Sequence, residues 1–161
     1  NVGYNAASNG DSRTGMTELY NAIDATNDIG IGIFYVVNPT IADDKYFTAR
    51  MDSGSAVSEI NAVAYTVRGA ESAAISAATA NSSDTSGTAV STALTTAVGD
   101  FVIDVLAGDE NIGITPGSNQ SSGMSATGAS IAHSHKSTYK NAMTTTTTMS
   151  HASAGSRRYN F

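Results

Sequence analysis

Hydrophobic and polar positions alternate with a period of two through several short runs, and each run ends on Gly, Asn, Asp or Pro. Ile29-Gly-Ile-Gly-Ile-Phe-Tyr-Val-Val37 stops at Asn38-Pro39, Asn61-Ala-Val-Ala-Tyr-Thr-Val67 at Arg68-Gly69, and Phe101-Val-Ile-Asp-Val-Leu106 at Ala107-Gly108-Asp109. Period-two runs bounded by turn residues predict strands. In the first run Ile29, Ile31, Ile33, Tyr35 and Val37 share one face, and Gly30 and Gly32 leave room on the other for a backbone or ring to approach.

Other segments fill in the pattern. Val2-Gly-Tyr4 reads as the end of a strand, residues 5–15 as a polar loop, and Met16 to Ile23 as a strand with a short helix as rival. Phe47, Ala49 and Met51 form an inward set within 45–51, and Val63, Tyr65 and Val67 do so in the next strand. Residues 70–80 read as a weak edge strand or loop, and 88–94 as a strand with Val90 and Leu94 on one face. Phe101 to Leu106 is apolar at nearly every position, as in a strand buried on both sides, with Asp104 as an outward interruption. Residues 118–130 read as a long polar loop, 143–149 as a threonine-rich strand, and 157–161 as a separate last strand. The expectation is an all-β fold: a single antiparallel β-sandwich domain over 1–161, jelly-roll or immunoglobulin-like, of about eight to ten strands.

Composition narrows what such a sandwich does. Charged residues are 14% of the chain, below the roughly 25% of an ordinary soluble domain. Ser, Thr, Ala, Gly and Asn take their place, as on proteins that work outside cells or pack into large assemblies. A net charge of −6 disfavours nucleic acid, which needs a basic footprint, and anionic membrane surfaces. The absence of cysteine removes disulfides, thiolate catalysis and Cys-based zinc sites.

Candidate chemistry is sparse. His133 and His135 have the spacing of a chelating pair on one strand face, with His151 the remaining histidine; surface histidines are the plainer reading. Asp24, Asn27 and Asp28, or Asp43 with Asp44, offer hard oxygens for calcium, but Asp and Asn are ordinary turn residues. No Gly-x-Ser-x-Gly elbow occurs, and Glu18, Glu59, Glu71, Asp104 and Glu110 are scattered. We therefore expect no enzyme, no catalytic residue, no metal and no cofactor. Tyr4, Tyr20, Tyr139 and Tyr159 are candidates for stacking on sugars, although packing is the commoner use of tyrosine. Asn81-Ser-Ser83 and Asn119-Gln-Ser121 match the glycosylation sequon.

Six segments, in order, resemble a β-sandwich module that recurs in phage virion proteins and exported bacterial surface proteins. They are Val2-Gly-Tyr-Asn5, Gly15-Met-Thr-Glu-Leu19, Phe34-Tyr-Val-Val-Asn-Pro-Thr40, Ala62-Val-Ala-Tyr-Thr-Val67 with Gly69, Gly99-Asp-Phe-Val-Ile-Asp-Val105, and Thr115-Pro-Gly-Ser-Asn-Gln120. Each is a strand or turn motif, so no site residue comes with the resemblance. Members of the group open with one or two further strands, and carry Trp where this chain has His151 in Met149-Ser150-His151. The resemblance implies a non-enzymatic structural protein on the virion exterior, a capsid decoration or tail or fibre component. Its expected partners are other virion proteins and further copies in a homo-oligomer, with no nucleic acid and no membrane. The alternative is a glycan-binding adhesin module using Tyr4, Asn5, Asn9, Asp11 and Tyr20 against a cell-surface glycan.

Overall fold

The computed structural model of the chain describes residues 2–5, 14–24, 29–38, 46–49, 61–70, 82–111, 113–126 and 133–160. These residues contain eleven strands and no helix. The chain divides into two compact units, one of residues 1–20 with 32–77 and one of 21–31 with 78–161.

In the first unit β1 (Val2–Asn5) pairs antiparallel with β2 (Thr14–Gly15) on one side and β5 (Tyr46–Ala49) on the other. β3 (Thr17–Asp24) and β4 (Ile29–Tyr35) form a separate two-stranded sheet, so the rival helix at 16–23 is not adopted. Ile29 and Ile31 are buried on one face of β4 while Gly30 and Gly32 are exposed on the other. The ring of Phe34 lies over Gly32, where a Cβ would come within 2.8 Å of Phe34 Cε2. The glycine thus provides the room that its place in the run predicts.

The second unit carries the described hydrophobic core. β6 (Ser82–Thr95), β11 (Thr146–Asn160) and β8 (Ile114–Pro116) form one layer, with β11 in the middle. β7 (Phe101–Gly108), β10 (Ser134–Asn141) and β9 (Ser121–Ala126) form the other, with β10 in the middle. The register of β11 against β6 shifts after Ala152 and again after Arg157, and beyond these shifts Tyr159 and Asn160 also pair with β7. Such bulges bend a strand and let it serve both layers. Inward alternation builds the core from Val90, Val102, Leu106, Ile114, Ala142 and Met149, with Leu94 packed against its margin. The architecture is all-β, antiparallel and sandwich-like.

Four local expectations are corrected. Residues 61–70 form no strand; of the expected inward set Val63 and Val67 are exposed and Tyr65 is half-buried, and none of the described strands forms a ladder with the segment. The expected loop at 118–130 contains β9, because its Ser and Gly residues are small enough to pack along β10. The threonine run and the chain end are one strand, β11, which begins at Thr146. Asp104 faces inward and is buried, for reasons that the site makes plain. Residues 71–80 of the expected edge strand or loop at 70–80, and Met51, lie outside the described residues.

Candidate functional site

The core of the second unit encloses a polar cluster that joins its two layers. Asp104 lies on β7 between Val102 and Leu106 on the inward face, directly opposite Thr138 of β10. Its Oδ1 accepts hydrogen bonds from Thr138 N at 2.8 Å and Thr138 Oγ1 at 2.7 Å. Its Oδ2 lies 2.9 Å from Nε2 of His151, which stands on β11 in the opposite layer. The two side chains are 8% and 1% exposed. An ionised Asp104 requires the proton of this contact to sit on Nε2, with the imidazole donating.

Gln120 closes the cluster from the turn between β8 and β9. Its Nε2 donates to Thr138 Oγ1 at 2.7 Å and lies 3.4 Å from Asp104 Oδ2, while its Oε1 accepts from Ser150 N at 2.8 Å. A continuous chain of donors therefore runs from the Ser150 amide through Gln120 and Thr138 to the Asp104 carboxylate, and each link polarises the next. The turn is built for this task. Asn119 takes a left-handed φ of 60°, Gln120 N bonds to Gly117 O at 3.3 Å, and Gly117 N bonds to Ser150 O at 2.8 Å. Gly117 sits so close to β11 that a Cβ would overlap Ser150 Oγ and approach Gln120 Oε1 to 2.8 Å.

Chemically this cluster is a strut. A nucleophile triad needs a hydroxyl bonded to an imidazole that is in turn held by an acid. Here the Thr138 hydroxyl bonds to the carboxylate, and the imidazole and carboxylate face each other from two layers with almost no solvent access. What the arrangement does is fix the spacing and register of the layers with directional contacts that apolar packing lacks.

Sequence reasoning named Asp104 and His151 separately but gave no sign that they pair. The other residues it singled out lie elsewhere: Tyr4 and Asn5 fall in β1, Tyr20 is half-buried on β3, and Asn9 and Asp11 lie outside the described residues. Asp24 ends β3, whereas Asn27, Asp28, Asp43, Asp44, Glu59 and Glu71 also lie outside them. Glu18 and Glu110 are exposed, and Tyr139 is half-buried with its ring centroid 5.5 Å from that of Phe101. His133 precedes β10 and His135 lies within it, their rings edge to face at 6.4 Å. Among the described residues no group of three His, Asp or Glu side chains is placed to hold a metal.

The second feature of the unit is an apolar surface at one end. The turn over 96–100 and the turn over 142–145 are hydrogen-bonded to each other. Thr96 N donates to Thr145 O, Gly99 N to Ala142 O, and Ala142 N to Asp100 O, with the Thr96 hydroxyl reaching Thr144 O at 2.9 Å. Gly99 has a φ of 98°, which a side-chain-bearing residue rarely adopts. The interlocked turns expose Val98 at 70% and Met143 at 80%, and Phe101 follows at 41%. The charged side chains beside the turns make local hydrogen bonds: the exposed Asp100 accepts through Oδ2 from Ala97 N at 2.7 Å, and Lys140 Nζ donates to Thr148 O. The result is a braced tip that holds two large apolar side chains in solvent among threonines and Asp100.

Comparison with known protein families, with curated protein sequences and with solved structures finds no match to this chain.

Proposed function

We propose that this chain is a non-enzymatic structural protein on the exterior of a phage particle, a capsid decoration or a tail or fibre component that assembles through β-edge and apolar contacts. The sequence resemblance to phage virion and exported surface modules supports this reading, as does the weakly charged surface. The observation that carries it is the tip formed by Val98 and Met143. Large apolar side chains held out on hydrogen-bonded turns lose little conformational freedom when a partner covers them, so their burial goes into affinity.

The buried cluster fits the same reading. Asp104, Thr138, Gln120 and His151 are spent on holding the layers, which leaves the strongest polar groups of the core out of any surface chemistry.

The test is to examine gradient-purified particles from cells that produce the chain, by mass spectrometry and by immunogold labelling of intact particles. The chain on the particle exterior is expected, and its absence from particles overturns the reading. Affinity of the free chain for a cell-surface glycan that falls on Tyr20→Ala would instead favour the adhesin.

A further inference from the structure

The chain has five methionines, at 16, 51, 124, 143 and 149. Met51 lies outside the described residues, and the structure places the other four in unlike surroundings. Met149 stands on the core face of β11 and is fully buried, in one cluster with Leu106 and Val102. Met16 and Met124 are half-buried. Met143 is 80% exposed, on the turn that joins β10 to β11. Its neighbours keep it there. Ala142 is buried and bonded twice to the facing turn, donating from N to Asp100 O at 2.8 Å and accepting at O from Gly99 N at 2.9 Å. On the other side Thr144 O accepts from Thr96 Oγ1 at 2.9 Å, and Thr145 O from Thr96 N at 3.1 Å. With the backbone fixed before and after it, Met143 stays in solvent as long as the two turns hold.

We propose that Met143 is an oxidation site of the folded chain, converted to its sulfoxide by a peroxide well ahead of the core methionine, and that the change weakens the contact made by the tip. The site itself stands on exposure; its effect on the contact rests on the assembly reading above. The thioether sulfur is the nucleophile, and its lone pair must meet the peroxide oxygen directly. An S–O bond forms as the O–O bond breaks. Sulfur loses two electrons and the peroxide gains them, so hydrogen peroxide leaves one oxygen behind and departs as water. At Met143 the reagent meets the sulfur in solvent, whereas at Met149 it must wait for the core to open. Val98, the other large apolar side chain of the tip, is saturated hydrocarbon and does not take part. The product replaces a flexible apolar side chain with a polar, chiral one. Covering the sulfoxide oxygen with an apolar partner strips its water and returns no hydrogen bond, which opposes the contact. The fold is not touched, because Met143 is no part of the core cluster.

The test treats the intact chain with excess hydrogen peroxide and follows each methionine by peptide mapping in a mass spectrometer. Met143 should gain its oxygen at least about tenfold faster than Met149, and ahead of Met16 and Met124, with the circular dichroism spectrum unchanged. In urea that unfolds the chain these rates should converge, because exposure and not local sequence sets them. Met143 reacting no faster than Met149 overturns the proposal, and so does a difference that survives in urea. The second readout is co-sedimentation with particles. Oxidised chain should attach at least about tenfold more weakly than untreated chain, and methionine sulfoxide reductases for both epimers should restore it. Met143→Leu, whatever its own level of attachment, should lose no more of it on peroxide treatment. Sulfoxide at Met143 with attachment unaltered overturns the proposal. The two readings fail separately: unselective oxidation of a chain that decorates particles sinks this site alone, and selective oxidation of a chain absent from particles sinks the virion reading and leaves the oxidation site standing.

Discussion

Asp104 and His151 stand on opposite layers of one core and meet at 2.9 Å through Oδ2 and Nε2. Neither side chain is within easy reach of water: Asp104 is held by Thr138 through Oδ1 and by His151 through Oδ2, and Nε2 of His151 faces Asp104. Removing one member leaves its partner buried and unsatisfied, which costs more than the contact contributes.

Asp104→Ala should therefore destabilise the second unit by about 3–5 kcal/mol, the range for a buried pair deprived of one partner. Asp104→Asn keeps an acceptor for Thr138 and a polar group toward His151, and should cost about 1–2 kcal/mol. Urea unfolding followed by circular dichroism measures both. Equal losses for the two variants would mean that the carboxylate, and not its shape, sustains the strut.

Gly117→Ala tests the closure of the cluster. The added Cβ would come within 3.1 Å of the Ser150 carbonyl oxygen as well as against Gln120. Overpacking of this kind costs about 1–3 kcal/mol. Ser150→Ala removes the nearest clashing atom, so the double variant should lose less than the sum of the single losses. A double-mutant cycle that is additive would show that the turn moves away from β11 instead of straining against it.

Leu106→Ala probes the apolar part of the same core. Leu106 is fully buried between the layers with Met149 and Val102, and a truncation that leaves a cavity costs about 2–5 kcal/mol. The loss should appear in the melting of the second unit by calorimetry.

Val98→Ser with Met143→Ser separates contact from stability. Both side chains are exposed, so the fold should change by no more than about 0.5 kcal/mol per site. Attachment to particles, measured by co-sedimentation, should fall at least tenfold. Undiminished attachment would remove the tip from the assembly surface.

The apolar partners of this core were legible in part, and its polar members were not. Val90 with Leu94, and Val102 with Leu106, keep the period of two that places them inside. Asp104 shares that face by the same count, and His151 shares it with Met149 and Thr147. Reading polarity ahead of period turns Asp104 outward, because a lone carboxylate belongs in water unless a partner is known. That partner lies 47 residues away on the other layer, and nothing local announces it. The strand expected at 61–67 is the converse case: it has the alternation, but none of the described strands pairs with it.

By itself the sequence determined the all-β class, the strands β4 and β7 and the inward face of β6, because side-chain alternation and turn residues act within a few positions of one another. Only the tertiary structure decided that Asp104 is a buried strut, that Gly117 must lack a side chain, and that β11 bends to serve both layers. It also decided that Val98 and Met143 share one braced end of the sandwich. Each of these depends on strands far apart in sequence arriving at the same place, and hydrogen bonds and close contacts are settled by that arrival.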